Sequence, residues 1–176
     1  MKTLLKVIPI PINGLMLGLV SLGNLFFAHN IKFLGVLFFS IGCVLFLLML
    51  CKIAFTFSDV INDLKNPIIA SVAPTFSMGM MVICSVLAGL SALTRIATIG
   101  WEIAAVVHFT LVAYFIYAFI WKNKPKFHSI YPSWFIVFVG FGIIPITLGN
   151  VESVIIHLVF WIGLIFYLIL LPIVLL

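Results

Sequence analysis

The amino-acid sequence predicts an all-α integral membrane protein with six transmembrane helices arranged as three helical hairpins. The 176 residues are 65% hydrophobic and 7% charged, with a mean hydropathy of +1.42. Such a chain is far more apolar than an ordinary soluble domain. The charged residues fall between apolar runs of about 20 residues, which is the length that a helix needs to cross a bilayer. Residues 1–176 are therefore expected to form a single transmembrane domain.

The apolar runs also set the expected limits of the helices. The three hairpins are expected at about 11–55, 73–121 and 133–175. Their six helices are predicted at 11–29, 33–55, 73–93, 98–121, 133–150 and 153–175.

The lysines and arginines are divided unequally between alternate loops. Seven of them lie at the N-terminus and in the second and fourth loops: Lys2, Lys6, Lys52, Lys65, Lys122, Lys124 and Lys126. Only Lys32 and Arg95 lie in the other loops. Because basic loops stay on the cytoplasmic side, this distribution predicts a multi-pass protein of the cell membrane with a cytoplasmic N-terminus. It does not form the basic patch that nucleic-acid binding requires.

The odd-numbered helices differ in kind from the even-numbered ones. They are rich in small residues and are introduced by prolines, and Pro11, Pro74 and Pro132 lie at intervals of 63 and 58 residues. This spacing indicates a repeat of about 60 residues, in which each unit is one hairpin. Small residues allow close helix packing in a membrane. The odd helices are therefore expected to form an inner layer and the bulkier even helices an outer one.

Small residues form a stripe on each inner helix, as at Gly14, Gly18 and Ser21, which share one helical face. Helix packing would explain any single stripe, but three repeated stripes favour a shared central path. Pro145 is also expected to break its helix beside a wet cavity. The predicted pore-lining residues are Gly14, Gly18, Ser21, Ser77, Met81, Cys84, Ala88, Gly142, Pro145 and Gly149.

The predicted inner helices contain no charged residue. A cation path would more naturally carry carboxylates, so the neutral lining and the positive helix ends favour a small anion. Two ionisable residues in the fourth helix, His108 and Glu102, are candidates for a proton-linked or anion-linked role. For His108 a hydrogen-bonded structural role is the favoured alternative, and Glu102 is expected near a helix end. Asp59 and Asp63 are expected on a solvated loop rather than at a metal site.

Three segments resemble the tellurite-resistance/dicarboxylate transporter family, which includes the plant slow anion channels. These segments are PIPINGLMLGLVSLGNL from Pro9, NPIIASVAPTFSMGMM from Asn66 and FHSIYPSWFIVFVGFGIIPITLG from Phe127. The resemblance implies a quasi-fivefold ring of ten helices in five hairpins, whose inner helices line a pore. It also implies transport of C4-dicarboxylates such as malate, or of sulfite, halide or nitrate. No cofactor or metal is implied, and a trimer is expected by analogy.

The chain has three of the five hairpins that the family arrangement requires, so we expect a truncated product. The alternative function is that of a non-transporting remnant, or of a membrane subunit that needs other chains. An enzyme is not expected, because catalysis requires convergent acid, base, nucleophile or metal ligands. His108, Glu102 and Cys84 form no such motif in the sequence.

Overall fold

A computed structural model describes residues 2–122, 131–147 and 154–175, and these residues form helices and turns without a strand. The helices are α1 (Lys2–Val7), α2 (Ile12–Ala28), α3 (Lys32–Phe55), α4 (Phe57–Asp63), α5 (Pro67–Val72), α6 (Pro74–Ala88), α7 (Thr94–Phe115), α8 (Trp134–Val139), α9 (Ile143–Thr147) and α10 (Val154–Leu175). A π-helical turn over Ile116–Trp121 extends α7, and a 3-10 turn over Gly140–Gly142 joins α8 to α9.

Four helical segments among the described residues are long and apolar enough to cross a membrane. They are Lys32–Phe55, Pro67–Ala88, Thr94–Trp121 and His157–Leu175. The helices Ile12–Ala28 and Trp134–Thr147 are apolar but shorter. At about 1.5 Å per residue, 17 residues extend about 26 Å, which is less than the bilayer core of about 30 Å. The all-helical membrane class is thus supported, whereas a count of six spans stays a prediction.

The helix α6 lies at the centre of the packing. In the most apolar 18 residues of Pro67–Ala88, which comprises α5 and α6, 61% of the residues are buried. The corresponding fractions are 17% for Lys32–Phe55, 28% for Thr94–Trp121 and 11% for His157–Leu175. α2 packs along both α3 and α6, α6 packs along α7, and α8 and α9 pack against α10. One core cluster joins Val20 of α2, Val82 of α6 and Ile143 of α9. This burial agrees with the expected inner position of the third predicted helix.

Glycines permit the close approach of α2 to its neighbours. A Cβ atom at Gly23 would lie 2.7 Å from the backbone nitrogen of Phe39 in α3. A Cβ atom at Gly42 would lie 2.5 Å from a methyl group of Val20 and 3.1 Å from its backbone nitrogen. Gly23 and Gly42 therefore fix the distance between α2 and α3. A Cβ atom at Gly79 would overlap the terminal methyl group of Met16, which can move.

The third predicted span begins earlier than expected. Its helical segment starts at Pro67 instead of residue 73 and ends at Ala88 instead of residue 93. Asn66 caps the helix, because its Oδ1 accepts hydrogen bonds from Ile68 N at 2.9 Å and Ile69 N at 3.4 Å. Pro67 occupies the first turn, where a missing N–H is harmless. The following helix starts at Thr94 rather than at residue 98.

The helix break expected at Pro145 is present one turn before the proline. Gly140–Gly142 form a 3-10 turn between α8 and α9. Proline has no N–H to bond the carbonyl four residues earlier, and its ring clashes with that carbonyl. For Pro145 the affected carbonyl belongs to Phe141, inside the 3-10 turn, so the regular helix is interrupted there.

Lys52 is buried and connects three segments of the chain, which the sequence did not predict. The side chain is 1% exposed, and its Nζ donates to the Ile8 carbonyl and lies 3.2 Å from Asp63 Oδ2. The Ile8 carbonyl lacks a helical donor, since Pro11 has no N–H and the Ile12 N–H bonds to Pro9. Lys52 therefore connects α3, the proline turn before α2 and the end of α4.

Candidate functional site

Three of the candidate glycines face open space. Among the described residues, no atom beyond the adjacent residues and the helix's own backbone lies within 4 Å of a Cβ built at Gly14, Gly18 or Gly142. The buried residues of α2 are Asn13, Met16, Val20 and Gly23, which form the opposite face of the helix. Ser21, on the same side as Gly14 and Gly18, is half-buried. The α2 stripe is thus directed away from the helices that pack against it.

The stripe on α6 has a different environment. Ser77, Met81 and Cys84 are buried, and their neighbours belong to α7 and α9. Met81 packs in one core cluster with Ala104 and Ile144. A Cβ atom at Gly100 of α7 would lie 2.9 Å from Cys84 Sγ. Neighbouring helices therefore cover this face of α6 at Ser77 and Met81, and a pore-lining role for Ser77, Met81 and Cys84 stays a prediction.

His108 connects the inner helix α6 to α7. Its Nδ1 lies 3.0 Å from Ser77 Oγ, and Ser77 Oγ donates to the Pro74 carbonyl at 2.8 Å. Because a hydroxyl has one hydrogen, we assign the His108 Nδ1–H as the donor to Ser77. The His108 Nε2 is then an acceptor, and it has no hydrogen-bond partner among the described residues.

The unpaired edge of His108 faces the helix break at Gly140. A Cβ atom at Gly140 would lie 3.2 Å from His108 Cε1 and 3.6 Å from Nε2. The Phe141 ring meets the imidazole edge to face, with 5.6 Å between ring centroids. The contact with Ser77 supports the structural role for His108, and the proton-linked role stays a prediction.

Cys84 and Ala88 line a small cavity at the end of α6. The cavity has a volume of about 220 Å³ and is also bounded by Ser85, Ala97, Thr98, Trp101 and Thr147. Trp101 Nε1 donates to Thr147 Oγ1 at 2.8 Å, and Thr147 Oγ1 donates to the Ile143 carbonyl at 2.8 Å. Trp101 was not among the candidate residues, because a single sequence does not show which group an indole N–H contacts.

The remaining candidate residues contact neither His108 nor the cavity at the end of α6 in the described contacts. Glu102 is exposed on α7, two turns after the helix begins at Thr94. Pro145 is half-buried in α9. Gly149 lies outside the described residues, as do Lys124 and Lys126.

Asp59 and Asp63, which were expected on a loop, lie in helix α4, and each pairs with a lysine. Asp59 pairs with Lys6 at 3.4 Å, and Asp63 pairs with Lys52 at 3.2 Å. In residues 2–122, 131–147 and 154–175, no group of three or more histidine, cysteine or acidic side chains is placed to hold a metal ion. Each carboxylate thus has a cationic partner.

The described residues include four helical segments that are long and apolar enough to cross a membrane. Together with the small, uncharged residues on the open face of α2, they are typical of a helical membrane protein. The voltage-dependent anion channel family matches residues 8–176, and the chain belongs to this family. Membership implies anion channel or transporter activity, since the family consists of channels and transporters rather than enzymes. No curated protein and no solved structure matches the chain.

Proposed function

We propose that the chain moves small anions across the cell membrane along the open faces that carry Gly14, Gly18 and Gly142. The observation that carries this proposal is the contrast between two sets of glycines. Gly23, Gly42 and Gly79 are closed by neighbouring helices, whereas the three candidate glycines have no neighbouring helix within 4 Å of a Cβ position. Open glycines leave the backbone dipoles accessible without adding negative charge, which suits an anion path.

The proposed arrangement places six membrane spans in three hairpins within a single transmembrane domain, residues 1–176. The paired packing of α2 with α3, of α6 with α7 and of α8 and α9 with α10 supports it. Ser21 and Pro145 belong to the same proposed lining as the glycines. Assembly into a trimer and a wider family ring of ten helices are further parts of the proposal.

The proposed substrates are small inorganic anions and C4-dicarboxylates such as malate. Sulfite, halides and nitrate fall within the same class, and a neutral lining with hydroxyl groups does not discriminate between them by charge. The tellurite-resistance subgroup of the family is the proposed relative, on the three segments that resemble it.

Bulky residues on the open faces are expected to block transport without unfolding the protein. Gly18→Leu and Gly142→Leu add a side chain at Cβ positions that no neighbouring helix approaches within 4 Å, and we expect each to lower anion flux at least about tenfold, a barrier of about 1.4 kcal/mol. Flux of chloride, malate and sulfite would be measured in proteoliposomes. The matched control is Val44→Phe, which adds bulk to the exposed outer surface of α3 and is expected to leave flux unchanged.

Two results would count against this pathway. Folded Gly18→Leu and Gly142→Leu variants that transport as fast as the unmodified chain would place the path elsewhere. Inhibition by Val44→Phe to the same degree would show that the effect is not specific to the open glycines.

The proposed orientation has its N-terminus in the cytoplasm. The pairs Lys6–Asp59 and Lys52–Asp63 hold the N-terminal segment and α4 on one side of the membrane, and the excess of lysines on that side favours the cytoplasm. In a background without Cys43, Cys51 and Cys84, we expect Arg95→Cys to react with an impermeant maleimide in intact cells. Lys65→Cys should react only after the cells are opened, and the reverse pattern would invert the orientation.

A further inference from the structure

A second cavity has none of the open glycines, Gly14, Gly18 and Gly142, among its lining residues. It is a groove of about 480 Å³ between α3 and α7, with α6 as its floor and α4 at one end. Ile53 of α3, Met80 of α6 and Val107 of α7 are among its walls. The groove opens sideways between residues that are exposed, including Leu50, Ile61 and Ile103.

The groove contains one buried polar side chain. Asn13 lines it and is 2% exposed, and its Oδ1 has no hydrogen-bond partner among the described residues. A carboxamide that is buried without a partner loses its hydrogen bonds to water, which is unfavourable. Because the walls around Asn13 are almost entirely hydrocarbon, the missing partner is expected on a molecule whose remaining surface is apolar.

The charged residues at the α4 end of the groove are expected to lie at the level of the lipid headgroups. Asn13 follows shortly after Ile8, whose carbonyl is bound by Lys52 beside Asp63. Leu64 lines the groove, and the next residue, Lys65, is exposed. Its Nζ donates to Asn62 Oδ1 at 3.2 Å and forms no ion pair among the described residues. The Asn13 amide is therefore expected slightly deeper in the bilayer than these charged residues. The glycerol esters of a phospholipid occupy the same depth beneath its headgroup.

From these contacts we infer that the groove binds one anionic phospholipid of the bilayer. One acyl chain fills the space between α3 and α7, and its ester carbonyl accepts a hydrogen bond from the Asn13 amide. An ester carbonyl and Asn13 Oδ1 are both acceptors, so the amide must present its NH₂ group to the lipid. The two ends of a carboxamide have the same shape, and rotation of the amide by about 180° exchanges them. Lys65 attracts the phosphate at the mouth of the groove. This lipid site is separate from the anion path and does not depend on it.

The site can be located with phosphatidylglycerol that carries a photoreactive diazirine in the middle of one acyl chain. We expect the unmodified full chain, in mixed micelles, to be labelled within α7 near Val107 and Leu111. Asn13→Leu removes the amide, and we expect at least about tenfold less labelling there, because a lost hydrogen bond of about 1.4 kcal/mol changes an affinity tenfold. Thr110→Phe narrows the groove from its exposed side and should have the same effect.

Asn24→Leu is the matched control, because Asn24 also belongs to α2 but does not line the groove. Labelling of the exposed surface of α10 serves as the reference for lipid in general contact with the protein. Unchanged α7 labelling in Asn13→Leu and Thr110→Phe would overturn the site. Equal α7 labelling by the corresponding phosphatidylcholine would overturn the preference for an anionic headgroup.

Discussion

Replacing Gly23 by alanine is expected to separate α2 from α3 and to destabilise the first hairpin by about 3 kcal/mol. The added Cβ would lie 2.7 Å from the backbone nitrogen and 2.9 Å from the Cα of Phe39. Overpacking against a side chain can be relieved by a rotamer change, but backbone atoms of a neighbouring helix move only with the helix. The loss should appear as a lower melting temperature of the purified chain in detergent.

Gly14→Ala provides the matched control on the same helix. No neighbouring helix lies within 4 Å of its Cβ position, so only the higher helix propensity of alanine acts, which stabilises by up to about 1 kcal/mol. The two substitutions add the same methyl group to α2 and should change the melting temperature in opposite directions. Equal destabilisation by both would show that α2 does not pack on α3 through Gly23.

The second large effect is expected for Asp63→Asn. This substitution removes the counter-ion of the Lys52 ammonium, which is 1% exposed, and leaves it with neutral oxygen acceptors such as the Ile8 carbonyl. Removing one member of a buried ion pair typically costs 3–5 kcal/mol. Asp63 is 36% exposed, so we expect a loss of about 3 kcal/mol. The free energy of unfolding in a denaturant titration measures it.

Asp59→Asn is the control for the loss of one negative charge from α4. Asp59 pairs with Lys6, and their side chains are 40% and 59% exposed. Exposed pairs contribute about 0.5 kcal/mol, so this variant should unfold almost like the unmodified chain. A cost at Asp59 as large as that at Asp63 would mean that helix α4 depends on its net charge rather than on the buried Lys52.

The sequence was sufficient to predict the helices whose ends carry strong local signals. α2 and α3 begin and end within a residue or two of the expected limits, because Pro11 and the His29–Asn30 turn interrupt the apolar pattern. The start at Pro67 was missed because Asn66 and Pro67 resemble a turn as much as a capped helix. The break before Pro145 was predicted because proline acts on the preceding turn of its own helix.

The site was harder to predict, because periodicity shows which residues share a face but not what the face meets. Gly14 and Gly18 face open space, whereas Ser77 and Met81, with similar spacing, are covered by α7 and α9. Lys52 was interpreted through its charge alone, and its burial depends on contacts with Ile8 and Asp63. Such long-range contacts have no signature in a single sequence.

Anion flux through the unmodified chain is the measurement that tests the proposed function most directly. The purified protein would be reconstituted in liposomes loaded with chloride, malate or sulfite, and the efflux compared with that of protein-free vesicles. We expect at least one of these anions to leave the proteoliposomes faster than it leaves protein-free vesicles, and we expect Gly18→Leu to slow this efflux. Efflux equal to that of protein-free vesicles for all three anions would contradict transport by this chain alone and favour a non-transporting subunit.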